Sequence, residues 1–210
     1  MQITLCETEF TLLSEKALWR HDTRQLLIAD IHLGKASHFR KAGISIPADS
    51  VLEDMRRLDA LIKKYLPKEV ILLGDLFHSS YNREWHLFEE FLQSFHTIPF
   101  ILVKGNHDIL KKNRYELPNF SVIDIWEDDL FIYSHEPMEH NSKYVLSGHI
   151  HPGVTLTGIG KQRLSMPCFH LSGNQMVLPA FGKLTGLYIL EKNKNDQYYL
   201  IYNEMIREMK

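Results

Sequence analysis

The sequence predicts a mixed α/β (α+β) fold in which two β-sheets pack together with helices outside them. Three observations lead there. The first half alternates short apolar runs with segments of helical spacing, and from Phe120 onward the chain is rich in β runs joined by turns. With 210 residues, 44% of them apolar and 24% charged, the chain can bury a substantial core, and its length fits one domain spanning residues 1–210.

The elements follow in order. Ile3–Leu5, Phe10–Leu13, Ala17–Trp19 and Gln25–Ala29 read as short strands. Val51, Leu52, Met55, Leu58, Leu61, Ile62 and Tyr65 recur at helical spacing, with Ser50 ahead of them as a cap and Glu53 completing a capping box. Val70–Leu73 is an apolar run ended by Gly74, as expected of a strand buried on both faces. Glu84–Phe95 reads as a second helix and Phe100–Val103 as a second buried strand, ending near Gly105. Beyond Phe120, the strand candidates are Leu130–Tyr133, Tyr144–Leu146, Val154–Thr157, Leu187–Leu190 and Tyr198–Tyr202. Gly158-Ile159-Gly160 and Asn193–Asp196 supply turns between them.

Charge and composition exclude several classes. A formal net charge of −2 leaves no global footprint for nucleic acid, so such binding must rest on local patches. No apolar run approaches the roughly 20 residues that span a bilayer, so no membrane partner is expected. Met1–Phe10 carries no basic-then-apolar leader, and Cys6 and Cys168 lie far apart and outside any CxxC. Both points fit a protein of the reducing cytoplasm.

Five polar segments follow the apolar runs: Asp30-Ile31-His32, Gly74-Asp75-Leu76-Phe77-His78, Gly105-Asn106-His107-Asp108, His135, and Gly148-His149-Ile150-His151. Ligands of parallel α/β sheets bind beyond the carboxyl ends of the strands, so one aligned edge gathers all five. Asp30 and His32, like His149 and His151, are two apart, and in extended chain such pairs point the same way. Carboxylate, imidazole and amide-carbonyl donors suit Mn²⁺, Fe²⁺ or Zn²⁺ and are too rich in nitrogen for a dedicated Ca²⁺ or Mg²⁺ site. Seven such residues exceed the needs of one ion, whereas two ions roughly 3.5–4 Å apart would use them all. Two divalent ions, two carboxylates and a hydroxide sum to about +1, a charge that attracts an anionic phosphate.

The order DxH, GDxxH, GNHD, H, GHxH resembles the calcineurin-like metallophosphoesterases, and all five parts are present. Within that superfamily the chain is similar, over essentially its whole length, to the bacterial DNA ligase-associated metallophosphoesterases. The similarity rests on Ile28-Ala29-Asp30-Ile31-His32-Leu33-Gly34-Lys35, Phe39-Arg40-Lys41-Ala42-Gly43-Ile44 and Leu178-Pro179-Ala180-Phe181-Gly182-Lys183-Leu184-Thr185-Gly186. The resemblance implies a four-layer α-β-β-α metallophosphoesterase sandwich with a dimetal site at the carboxyl ends of the strands. It implies Asp30, His32, Asp75 and His151 on one ion, with Asp75 bridging to a second held by Asn106, His135 and His149. Manganese is the implied metal, with Fe²⁺ or Zn²⁺ as alternatives.

The same resemblance has His107 face the phosphate, donating to a non-bridging oxygen or protonating the leaving alkoxide, while Asp108 orients its imidazole. His78 is expected on the substrate side, the alternative being a buried histidine bonded to backbone, and Lys35 and Arg40, with Lys41, either meet a nucleic-acid backbone beside the site or form a solvated loop. The implied activity is a manganese-dependent phosphodiesterase, a single-stranded DNA endonuclease of DNA repair. Its implied company is a DNA ligase, a helicase and an exonuclease. The alternatives are a phosphodiesterase for small nucleotides or a phosphomonoesterase, and, in another class, a non-catalytic scaffold, which the full set of ligands disfavours.

The remaining polar and aromatic residues receive plainer readings. His21, His38, His86, His96, His140 and His170 match no motif and are expected at the surface or in caps. Phe39, Phe77 and Tyr81 could stack on bases, though packing is the better expectation for the first two. Lys104, Lys111, Lys112 and Arg114 flank the Asn106–Asp108 turn.

Overall fold

The computed structural model describes residues 1–36, 39, 43, 50–78 and 81–209. Its first four strands, β1 (Gln2–Leu5), β2 (Thr8–Leu13), β3 (Ala17–Arg20) and β4 (Gln25–Ile28), form an antiparallel meander. The strands β5 (Glu69–Leu73), β6 (Phe100–Val103) and β7 (Phe120–Ile123) then add to β4 in parallel, giving a sheet in the order β1 to β7. Parallel neighbours need crossovers, and the helices α1 (Ser50–Tyr65) and α2 (Arg83–Ser94) lie in the connections from β4 to β5 and from β5 to β6. Asn82 caps α2, its side-chain oxygen accepting from the Glu84 N–H at 2.8 Å. The capping role expected of Ser50 lies outside the described side chains, and the Glu53 carboxylate pairs with the Lys183 ammonium.

The second half builds the other sheet from β8 (Trp126–Glu127), β9 (Phe131–Tyr133), β10 (Tyr144–Ser147), β11 (Pro152–Thr157), β12 (Arg163–Ser172), β13 (Gln175–Val177) and β14 (Tyr188–Ile189). These run in the order β14-β11-β12-β13-β10-β9-β8, with β9, β10 and β13 mutually parallel. The hairpin of β15 (Gln197–Tyr202) and β16 (Met205–Met209) joins through β12. The expected sandwich forms, and its cores explain the sequence pattern. Leu26, Ile28, Val70, Leu72 and Leu102 face α1 and α2, against Leu58, Leu61, Trp85 and Phe88. Their neighbours Leu27, Ala29, Ile71, Leu73 and Val103 face the second sheet, against Phe131, Tyr133, Leu146 and Phe169. A strand buried on both faces must be apolar at every position, which is why these strands read as unbroken runs. Each such Leu, Ile or Phe contributes about 1.5–3 kcal/mol by leaving water. On the outer side of the second sheet a smaller cluster gathers Val154, Met166, Cys168, Tyr198 and Leu200.

Five strands lie outside the expected set: β7, β8, β12, β13 and β16. In β12 the partner changes along its length. Residues 163–167 pair with β11, residues 170–172 with β13, and residues 168–171 with β15 on the other edge. Pro167, which argues against a strand in sequence terms, stands opposite Gly153.

Candidate metal centre

The strands β4, β5 and β6 run parallel in one sheet, and β9 and β10 run parallel in the other. Immediately after each comes one of the five polar segments, so the seven candidate ligands meet at a shared rim. Six of them fall into two groups whose ligand atoms lie within 4.8 Å of one another: Asp30, His32 and His151, and Asp75, His135 and His149, with Asn106 beside the second. In the first, His151 Nε2 is 3.5 Å from Asp30 Oδ1 and 3.4 Å from His32 Nε2. In the second, His135 Nε2 is 3.4 Å from Asp75 Oδ1 and 3.0 Å from both His149 Nδ1 and Asn106 Oδ1. Asp75 stands between them, its other oxygen 3.9 Å from His32 Nε2.

The donor set fits cations. Asp30 is fully buried, and while its Oδ2 accepts the His149 N–H at 2.9 Å, its Oδ1 has no hydrogen-bond donor among the described residues. An unpaired buried carboxylate oxygen is costly unless a cation meets it. The Nδ1 of His135 lies 3.1 Å from the Leu73 carbonyl. With Nδ1–H donating there, Nε2 keeps its lone pair, which converges with the oxygens of Asn106 and Asp75. Burial above all, then the positive charges of Lys35 and the neighbouring imidazoles, pushes His32 down to about 2. At neutral pH its ring is therefore uncharged and offers a lone pair.

Backbone geometry corrects one expectation. The pairs Asp30/His32 and His149/His151 do not converge as alternate residues of extended chain. Asp30, His32, Asp75, His149 and His151 all have positive φ, between 49° and 68°. Left-handed backbone costs a side-chain-bearing L-residue roughly 1–2 kcal/mol, and such strain concentrates at functional sites. The sharp reversals turn each side chain inward where a strand would carry it past.

Two glycines make the crowding possible. Gly74 has φ +78°, and a Cβ there would overlap the His135 imidazole. A Cβ on Gly105 would overlap Asp75. Beneath these turns lies Asp108, fully buried. Its oxygens accept the backbone N–H groups of Gly105 at 2.9 Å and Phe77 at 3.1 Å. Burial pushes this carboxyl up to about 6 against the pull of those donors. The expected orientation of His107 by Asp108 gives way to another task, holding the Asp75 loop to the Asn106 loop.

His107 is half-exposed, with Nε2 3.9 Å from Asp75 Oδ2, and its backbone N–H donates to Asp75 Oδ1 at 2.9 Å. The His78 ring packs against His107 at 4.2 Å and His32 at 5.2 Å between centroids. Lys35 is half-buried within the field of Asp30 and Asp75, which oppose the downward push of burial on its pKa. Arg40 and Lys41, as well as His38, lie outside the described residues. Of the other histidines, His21 bonds Thr11, His86 bonds Glu89 and His140 accepts the N–H groups of a turn, whereas His170, expected at the surface or in a cap, lies within β12, bonded to Asp196 and stacked on Tyr198. Phe77 is fully buried, as expected of packing, and Tyr81 meets Arg114, whose guanidinium lies 3.8 Å from its ring centroid.

No role can be read in sequence for residues 180–183, part of a segment that carries the resemblance, nor for their partners Asp54 and Arg57. The stretch 180–183 lies along the first ligand loop: Ala180 bridges Ala29, the Phe181 N–H donates to the Ala29 carbonyl at 2.8 Å, and the Gly182 N–H donates to the Asp30 carbonyl at 3.1 Å. From α1, buried Asp54 accepts the Lys183 N–H at 3.1 Å. Arg57 pairs with Asp54 at 2.9 Å, donates to the Phe181 carbonyl and stacks 4.0 Å from the Phe181 ring centroid. No local pattern marks partners 124 residues apart. Arg57→Leu removes the clamp behind Asp30 and is expected to weaken metal binding in the first group about 10–100-fold. A metal titration would check this, with Arg57→Lys recovering only part because it lacks the planar fork.

Comparison with known proteins agrees with the geometry. The model of a family described as calcineurin-like phosphoesterase matches residues 23–172, a span that contains all seven candidate ligands. Among solved structures, the nuclease MPE of Pseudomonas putida has a TM-score of 0.84 at 28% identity, covering 100% of this chain and 99% of that one. The phosphoesterase Yfce of E. coli has a TM-score of 0.46 at 14% identity, covering 88% of this chain and 97% of that one. No curated protein matches the chain.

Proposed function

The chain belongs to the calcineurin-like phosphoesterase family and is a metal-dependent phosphoester hydrolase; on that premise we propose that it is a manganese-dependent phosphodiesterase cutting single-stranded DNA. One observation carries the two-metal reading: Asp75 directs one oxygen to an imidazole of each group, at 3.4 Å to His135 and 3.9 Å to His32. Asp30, His32 and His151 would then hold one ion and Asn106, His135 and His149 the other, with Asp75 shared. When bound, the pair supplies Lewis acidity at the phosphoryl group and lowers the pKa of water.

The chain's own residues do the rest. His107 and His78 stand side by side at the rim, and His107 has the exposure needed to meet a phosphate. It donates to a non-bridging oxygen or to the departing alkoxide. Lys35 adds a cation beside the first group. The substrate class is supported by the likeness to a nuclease across the whole chain and by the three segments on which the resemblance to the DNA ligase-associated metallophosphoesterases rests. Repair partners (a ligase, a helicase and an exonuclease) are proposed on that resemblance alone. Placement in the cytoplasm is proposed from two unpaired thiols.

A panel of metals against single-stranded DNA, duplex DNA, bis-p-nitrophenyl phosphate and p-nitrophenyl phosphate tests this reading. The expected result is manganese-dependent turnover of single-stranded DNA and the bis-aryl diester, with the monoester slower. Diester turnover without DNA cleavage would replace DNA by a small nucleotide substrate and leave the two-metal chemistry standing.

A further inference from the structure

The rim has two flanks of different charge. Beside the second group an open groove of about 410 Å³ runs past Asn106 and His135, and it carries exposed Asp124 and Glu136 against the single cation Lys104. On the His107 and His78 side the chain carries the cations Lys35, Lys111, Lys112 and Arg114. A phosphate chain extending from the metals is repelled by the first flank and drawn to the second.

Two loops build that second flank. The one following β5 runs from Asp75 through His78 to Tyr81 at the head of α2, and the one following β6 runs from His107 to a short 3-10 turn at Lys112–Arg114. They meet twice, at the 4.2 Å contact of the His78 and His107 rings and at the 3.8 Å contact of the Arg114 guanidinium with Tyr81. Tyr81 stands three positions beyond His78, so their Cα atoms are at most roughly 11 Å apart. That is within reach of the nucleotide beside a scissile phosphate.

The pair is held in place. Tyr81 packs edge-on against His86 at 4.9 Å, and His86 bonds Glu89 at 2.9 Å, a carboxylate that also accepts from the Trp85 indole. Arg114 is exposed, and no carboxylate among the described residues pairs with it. Stacked on a ring, a guanidinium leaves its N–H fork turned to solvent, the geometry that matches a phosphate bidentately.

We infer that Arg114, seated on Tyr81, is a binding site for the phosphate of a nucleotide flanking the scissile one, so that the protein grips a strand and not a lone diester. This rests on the phosphodiesterase reading above. Steady-state kinetics of the manganese-loaded Arg114→Gln, Arg114→Lys and Tyr81→Leu proteins test it, on a labelled single-stranded oligonucleotide and on bis-p-nitrophenyl phosphate. Arg114→Gln is expected to raise KM for the oligonucleotide about tenfold, the loss of one charge-assisted contact. Tyr81→Leu should show a smaller rise, Arg114→Lys a partial one, and kcat/KM for the small diester should stay within about twofold. Equal losses on both substrates would overturn the inference by making the pair structural, and no loss on either would overturn it too. A loss of DNA cleavage in Lys104→Gln alone would move the strand to the other flank. Wild-type protein that turns over the small diester but no oligonucleotide would instead overturn the DNA reading, and this site with it.

Discussion

Asp75→Asn is expected to lower kcat/KM for a phosphodiester by about a thousandfold or more while the protein stays folded. Asparagine keeps an oxygen to accept the His107 N–H that Asp75 Oδ1 now takes at 2.9 Å. What it loses is the negative charge between the two groups, and the second acceptor, which becomes an amide N–H₂ turned toward a cation site. Metal analysis should show fewer than two ions per chain, and circular dichroism should match the wild type. Activity near the wild-type level would remove Asp75 from the centre and the two-metal reading with it.

Gly74→Ala carries the largest expected effect on stability. A methyl group at φ +78° is strained by roughly 1–2 kcal/mol, and here it would also press into the His135 ring. Displacing packed groups adds about 1–3 kcal/mol. The sum, about 2–5 kcal/mol, is to be read from the denaturant midpoint. His135 cannot move aside without leaving Asn106 and His149, so weaker binding of the second ion should accompany it. A destabilised protein with both ions at full affinity would show that the ring yields elsewhere.

The parts of this fold that were legible in sequence are those specified locally. α1 declares itself by the spacing from Leu52 to Tyr65, and β5 and β6 by unbroken apolar runs, because each is buried on both faces. β12 is specified by partners, since three strands in turn complete its hydrogen bonds, and a ten-residue stretch containing a proline says little by itself. At the site, the identity and order of the candidate ligands could be read because chemistry restricts which side chains bind metal. How they converge could not. Positive φ at Asp30 and His32 is imposed by the Gly74, Asp75 and Leu76 backbone that pairs with this loop, not by any preference of Asp or His. The Arg57–Asp54 clamp was invisible for the same reason, as its targets lie far along the chain.

The way the ligands divide between the sheets has a consequence for the apo protein. Asp30 and His32 come from the first sheet and His151 from the second; Asp75 and Asn106 come from the first, and His135 and His149 from the second. An ion in either group is thus a rivet through the sandwich, joining residues such as His32 and His151 that are 119 apart in the chain. Each would add about 2.7 kcal/mol at a hundredfold excess over its dissociation constant. Chelation should therefore cost the molecule its mechanical union as well as its chemistry, loosening the two halves at the edge where the strands end.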